Sequence, residues 1–184
     1  MEKRHTFRNI FIVVVLGGIA FFIYGNYHVK KLDEYYELVN QAIDTRNASV
    51  DALNECSDVL LDVWGNSIGK IEDSKTDPYT RPDGVFLDDF NEALENLYED
   101  PDFQVKADLI SEKQMNLRKI EKKLENPPGS EEEYNEVFLE FLDNYIEVSM
   151  AVINPNGSFI EVSDQINHLN AEGKELQMEL DSFE

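Results

Sequence analysis

Five carboxylates, Glu132, Glu136, Glu140, Asp143 and Glu147, recur at spacings of four and three residues. On a helix that spacing places all five on one face. Carboxylates so aligned can hold a cation, attract a basic partner or work in pairs as acid and base. The last role, as in glycoside hydrolysis, requires a cleft with aromatic walls, and nothing in the sequence indicates one. Like charges at i, i+4 repel by roughly 0.2–0.5 kcal/mol per pair. The stripe is therefore either a solvated face or one that meets a cation or a basic partner, and its five residues are the candidate partner-binding set.

Other stretches with a chemical look each lack a required residue. "GNSIGKI" (Gly65 to Ile71) has three residues between its glycines and an isoleucine after the lysine. A phosphate loop needs four residues there and a Ser or Thr. The expectation for these glycines is a close helix contact or a fraying helix end. In "RPDGVFLDDF", aligning Gly84 with the glycine of a calcium loop puts Tyr79 and Phe90 where carboxylates must sit. His5, His28 and His168 are scattered. A di-iron bundle needs a Glu-x-x-His pair on each of two helices, and here that spacing occurs only at Glu2 and His5. With Cys56 as the single cysteine no intramolecular disulfide can be built, and with no histidine set near a nucleophile motif no triad can be argued. The sequence thus reads as a non-enzyme, with no catalytic, cofactor-binding or metal-binding residues and no cofactor.

The elements that must position the stripe are helical throughout. From Leu32 the apolar positions Leu32, Tyr36, Val39, Ile43, Val50, Leu53, Leu60, Trp64 and Ile71 follow alternating spacings of four and three once Arg46, Ser57 and Ser67 are admitted as polar members. This is a heptad-like, coiled-coil seam on a long first helix, with Trp64 facing inward. The carboxy-terminal stripe, Phe159, Val162, Ile166, Leu169, Gly173, Leu176, Leu180 and Phe183, keeps the same rhythm and needs a partner helix.

Ser158 with Glu161, and Ser130 with Glu133, have capping-box spacing, the second ahead of a helix carrying Tyr134, Val137, Phe138, Phe141, Leu142 and Tyr145. Phe86, Phe90, Leu94 and Leu97 mark a short helix, after which Asp100 and Pro101 suit an N-cap and first turn leading through Ile110, Leu117, Ile120 and Leu124. Turn formers in "DSKTDPYTRPDG", "ENPPGS" and "NPNGS" separate the helices. Short links favour antiparallel neighbours. The expected fold is all-α: an antiparallel up-down four-helix bundle, its second helix broken near Pro101, on an N-terminal transmembrane helix.

That transmembrane expectation rests on residues 7–31. Ile10 to Tyr24 is unbroken apolar sequence, about 22 Å as a helix against a hydrocarbon core of about 30 Å. Adding Phe7 and Tyr27 lengthens it to roughly 20 residues, with Tyr24 and Tyr27 suited to the interface and Lys30 and Lys31 able to snorkel. No small-x-small cleavage site follows, so the segment reads as an uncleaved signal anchor; a cleaved signal peptide is the competing reading. Lys3, Arg4 and Arg8 precede the span and two lysines follow it, which favours a cytoplasmic N-terminus.

The expected organisation is a cytoplasmic stub (1–9), a transmembrane signal anchor (10–29) and an acidic extracytoplasmic helical domain (30–184). Glu2 is the one acidic residue before Leu32, and five of the sixteen basic residues also precede it. The remainder therefore carries 37 acidic against 11 basic residues, a formal charge of −26. Such a domain is repelled by nucleic acid and by anionic lipid surfaces. The expected contacts are membrane lipid through residues 7–31 and an envelope protein or other basic partner, with no nucleic acid.

Taken together, "VLLDVWGNSIGK", "TDPYTR", "FLDDFNEALENLYEDPDFQ", "ENPPGSEEEYNEVFLEFLDNYIEV" and "AVINPNGSF" make the chain similar to a group of uncharacterised envelope proteins and lipoproteins of Gram-positive bacteria. That resemblance covers most of the region after the anchor and implies a cell-envelope setting without a specific activity. The chain departs from the group in lacking a lipobox cysteine. The resulting expectation is a membrane-anchored extracytoplasmic interaction or structural protein; the alternative is a sensor-type ectodomain that binds a small ligand between its helices. A polar cluster inside a pocket would favour the ligand binder, and an exposed apolar patch the interaction module.

Overall fold

A computed structural model describes the backbone of residues 2–183 and the side chains of residues 25 and 27–183. The expected stub (1–9) and nearly all of the expected anchor (10–29) lie outside the residues with described side chains. Among the described residues no helix is long and apolar enough to cross a membrane.

The elements are α1 (Glu2–Gly69), α2 (Asp77–Thr80), α3 (Phe90–Glu99), α4 (Pro101–Leu124), α5 (Glu132–Ile153) and α6 (Phe159–Asp181), with a 3₁₀ turn at Gly129–Glu131. The all-α expectation holds among the described residues.

Local sequence sets several of the helix ends. Asp100 accepts from the backbone N–H groups of Asp102 and Phe103 at 3.0 Å, and Pro101 opens α4 in the position where a missing N–H costs nothing. Ser158 and Glu161 form the expected reciprocal capping box at the start of α6. Ser130 does not cap α5. It lies inside the 3₁₀ turn that follows Pro127 and Pro128, and its hydroxyl donates to the Glu131 carboxylate at 2.9 Å. Phe86 falls outside α3, which Asp89 caps by accepting from the Asn91 N–H. At the end of α1, Lys70 adopts a left-handed backbone (φ 50°) and the Ile71 N–H closes on the Asn66 carbonyl at 3.0 Å. This closure satisfies an orphan carbonyl in the position glycine usually takes.

Long-range contacts fix the helix directions. Lys106 of α4 meets Glu55 of α1 at 2.6 Å, while Asn135 of α5 donates to the Leu124 carbonyl at the far end of α4 at 3.1 Å. Tyr36 donates to Glu131 at 2.7 Å, and further along α1 the Ser49 and Tyr145 hydroxyls share a buried hydrogen bond of 2.7 Å. So α4 runs antiparallel to α1, and α5 runs alongside α1 in the same direction. Asn144 of α5 donates to the Leu169 carbonyl of α6 at 2.9 Å and Tyr134 meets Phe183 edge-on, which makes α6 antiparallel to α5.

The inward seam of α1 shares Val39, Arg46, Leu53, Leu60 and Ser67 with the expected one and takes in the preceding residue at the positions between them. Tyr35, Val39, Ala42, Ser49, Leu53, Cys56, Leu60, Val63 and Ser67 are buried, with Arg46 filling the remaining slot between Ala42 and Ser49. Tyr36 and Ile71, expected inward, are 42% and 56% exposed. Because α3, α4 and α5 all pack on α1, its buried face is wider than a single seam, and Trp64 is buried as expected. The indole stacks on Phe90 of α3 and tilts against Phe159 of α6. Gly65 admits that ring closely: a Cβ there would come within 3.3 Å of Phe159.

Candidate functional site

All five residues of the expected stripe are exposed on α5. The helix itself is the most enclosed of the set, with Val137, Phe138, Phe141, Leu142, Tyr145, Ile146, Val148, Ala151 and Val152 in the core. Apart from the first-turn Glu133 and the last-turn Met150, the stripe is the whole of its solvent edge. None of the five forms an ion pair among the described residues. Across from it on α4, the Glu121 carboxyl is pushed above its ordinary range by burial and then by the Asp143 charge, with Arg118 opposing. The structure thus brings the five carboxylates together with one more acid and places no basic side chain in salt-bridge contact with them.

Other reactive groups stay apart. Cys56 is buried and its thiol is pushed up to about 11, first by burial, with Lys106 opposing. No group of three or more His, Cys, Asp or Glu among the described residues could hold a metal ion. The "TDPYTR" stretch is tied up structurally. Arg81 grips Asp77 through two bonds of 2.8 and 3.0 Å and also meets Glu72 at 2.7 Å. That guanidinium holds the Asp77 carboxyl below its usual range.

A different arrangement occurs where α1, α5 and α6 meet. A groove of about 680 Å³ opens between the middle of α1 (Arg46, Val50, Leu53, Asn54), α5 (Asn144, Tyr145, Val148) and α6 (Asn170, Gly173, Lys174, Gln177, Met178). Its floor depends on Gly173, since a Cβ there would lie 2.6 Å from the Asn144 Oδ1. The Asn144 amide is held in place by donating to the Leu169 carbonyl and, at 3.2 Å, to Glu172. Arg46 lies between this groove and a smaller adjoining cavity of about 270 Å³.

The Arg46 guanidinium sits 4.5 Å from the centre of the Phe141 ring and 5.7 Å from that of Tyr145. Its Nη1 donates to the Asn47 side chain at 3.2 Å, and its buried Nε donates to nothing among the described residues. Burial pulls its pKa below the ordinary value, with Tyr145 opposing. A cation held over two aromatic faces is stabilised there by roughly 0.5–2 kcal/mol, while its in-plane donors remain usable.

Sequence reasoning noted Arg46 as a polar member of an apolar seam and went no further. That irregularity was the available signal. Asn54, Asn144, Asn170, Lys174 and Gln177 carried none, because they converge only through packing. A depression of similar size, about 650 Å³, runs beside Asp33, Glu37 and Asp44, but all its lining belongs to α1, so no second element encloses it.

Compared with known proteins, the chain matches no family model, no curated protein and no solved structure.

Proposed function

We propose that this chain is a non-catalytic, single-pass protein of the bacterial cell envelope. Residues 10–29 anchor it in the plasma membrane with the stub 1–9 in the cytoplasm. The acidic extracytoplasmic domain is an antiparallel up-down four-helix bundle, its second helix broken near Pro101. Of the two roles such a domain could play, the reading we favour is the sensor-type ectodomain that binds a small ligand between its helices.

The observation that carries this is the groove between α1, α5 and α6, which combines apolar walls with several polar side chains and a guanidinium that has no ion pair among the described residues. Its size is that of small-molecule sites, roughly 300–1,000 Å³. Because α1 lines the groove and includes the expected anchor at its other end, occupancy would be felt by the element nearest the membrane. With so short a stub, any signal would pass through another protein.

The test is native mass spectrometry of the full-length protein released from membranes in mild detergent, together with a thermal-shift screen of small molecules. A bound small mass, or a compound that raises Tm and slows hydrogen exchange in both α1 and α6, is the expected result. The interaction reading has its own support in the unpaired stripe on α5. It prevails if the screen is silent while a protein co-purifies and is lost, in a salt-dependent way, on replacing Glu136, Glu140 and Asp143 with their amides.

A further inference from the structure

We propose that the groove between α1, α5 and α6 takes a small organic monocarboxylate with an apolar body, its carboxylate bound by Arg46 and drawn in by Lys174. This rests on the ligand-binding reading above and names the ligand class.

Charge placement is the first argument. Asp and Glu supply 38 of the 184 residues, yet none of the twelve residues lining the groove is acidic and two are cationic. At the average of the whole chain, two to three acidic residues would be expected among twelve. Glu172 accepts from Asn144, and Asp181, which shares the adjoining cavity with Arg46, accepts from Gln177 at 2.8 Å; neither is in salt-bridge contact with Arg46 or Lys174. Arg81 shows how this chain treats a half-buried arginine that serves structure, enclosing it between Asp77 and Glu72. Arg46 and Lys174 have no ion pair among the described residues. Arg46 is partly buried; a partly buried cation without a counter-charge carries a cost that an anionic ligand reduces.

The shape of the charge selects a carboxylate. Guanidinium matches a carboxylate in its own plane, and the Arg46 guanidinium is held over the Phe141 and Tyr145 rings. Phosphate sites typically add backbone N–H groups at a helix N-terminus. Here the groove is lined from the middle of α1, α5 and α6, so no such donors face it. A polyanion would also meet the repulsion of the acidic surface around the groove, which a single charge minimises. Val50, Leu53, Val148 and Met178 supply apolar wall for the ligand body, and Asn54 and Asn170 supply uncharged hydrogen-bonding groups.

The experiment is calorimetric titration of the full-length protein in nanodiscs at low salt with acetate, 3-phenylpropanoate and octanoate, with the primary amides of the last two, and with inorganic phosphate. The expected result is binding of 3-phenylpropanoate or octanoate, with the matching amide and phosphate each weaker by about tenfold or more. Arg46→Gln should cost a similar factor, Lys174→Gln a smaller one, and Lys122→Gln, on the exposed face of α4, nothing. Should Arg46→Gln fail to fold, the acid–amide comparison and Lys174→Gln still decide. Equal binding of acid and amide overturns the carboxylate assignment while leaving a ligand-binding groove in place. Tighter binding of phosphate overturns it in favour of a general anion site. Binding of none of the carboxylates overturns it outright, and the thermal-shift screen then shows independently whether the broader reading falls too.

Discussion

At the residue scale, two side chains behave against their usual chemistry because of where packing puts them. Glu121 is half-buried on α4, one of its carboxylate oxygens has no hydrogen-bond partner, and burial followed by Asp143 raises its pKa. The folded state then binds this proton more tightly than the unfolded state does. Glu121 therefore favours folding at acid pH, and that contribution is lost as pH rises through the raised folded pKa. Glu121→Gln should raise Tm at pH 7, and the gain should vanish as pH falls below the ordinary carboxylate range of about 4. Thermal unfolding of both proteins from pH 3 to 8 checks this; a gain that did not change with pH would mean the carboxyl is not perturbed. Cys56 is 1% exposed and its thiol is raised to about 11. Since the thiolate is the reactive form, a thiol reagent at pH 7.5 should label the native protein at least ~100-fold more slowly than the protein in denaturant. Rapid native labelling would place Cys56 at the surface. Trp64 was legible as an inward residue from its place in a repeating apolar pattern, whereas neither the Glu121 environment nor the depth of Cys56 was.

At the scale of elements, the contact between α5 and α6 is set by an unusual pairing of a glycine with an amide. Gly173 costs α6 about 1 kcal/mol of helix propensity relative to alanine, so Gly173→Ala should stabilise an isolated helix. In the folded protein the new Cβ meets Asn144 Oδ1 at 2.6 Å, and moving that amide breaks its bonds to Leu169 and Glu172. The substitution should therefore destabilise the protein by about 1 kcal/mol, and should become stabilising by up to about 1 kcal/mol when Asn144→Ala is already present. A double-mutant cycle by denaturant unfolding measures the coupling, and the absence of coupling would mean that α5 and α6 do not approach this closely. Helix boundaries were legible where a side chain caps its own backbone, as at Asp100 and Ser158. They were misread where a neighbouring feature intervened: Ser130 lost its capping role to the turn imposed by two preceding prolines.

At the scale of the whole molecule, an apolar N-terminal segment is joined to residues 32–184, whose formal charge is −26. The two are opposed in solvent preference, which makes partitioning a sharp measurement. The mature protein should keep its N-terminus, sediment with membranes, resist extraction by high salt and be released by detergent. An N-terminus beginning beyond Ala20, or release by salt alone, would favour the cleaved signal peptide.

The sequence by itself determined what depends on near neighbours along the chain. Helical periodicity, the caps at Asp100 and Ser158 and the break at Pro101 follow from residues within a few positions of one another, and the net charge follows from composition alone. Tertiary structure alone decided how each helix is rotated about its axis. On α1 two overlapping seams, one through Tyr35 and one through Tyr36, share Val39, Leu53, Leu60 and Ser67, and only the positions of α3, α4 and α5 decide that Tyr35 is buried and Tyr36 exposed while Trp64 is buried beside Val63. The groove has the same origin. Its lining comes from residues 46–54, 144–148 and 170–178, which share no local pattern and converge because three helices pack at that level. An arginine in an apolar seam is visible in sequence. Whether a carboxylate pairs with it is a question of distance in space, and among the described residues none comes within salt-bridge contact of Arg46.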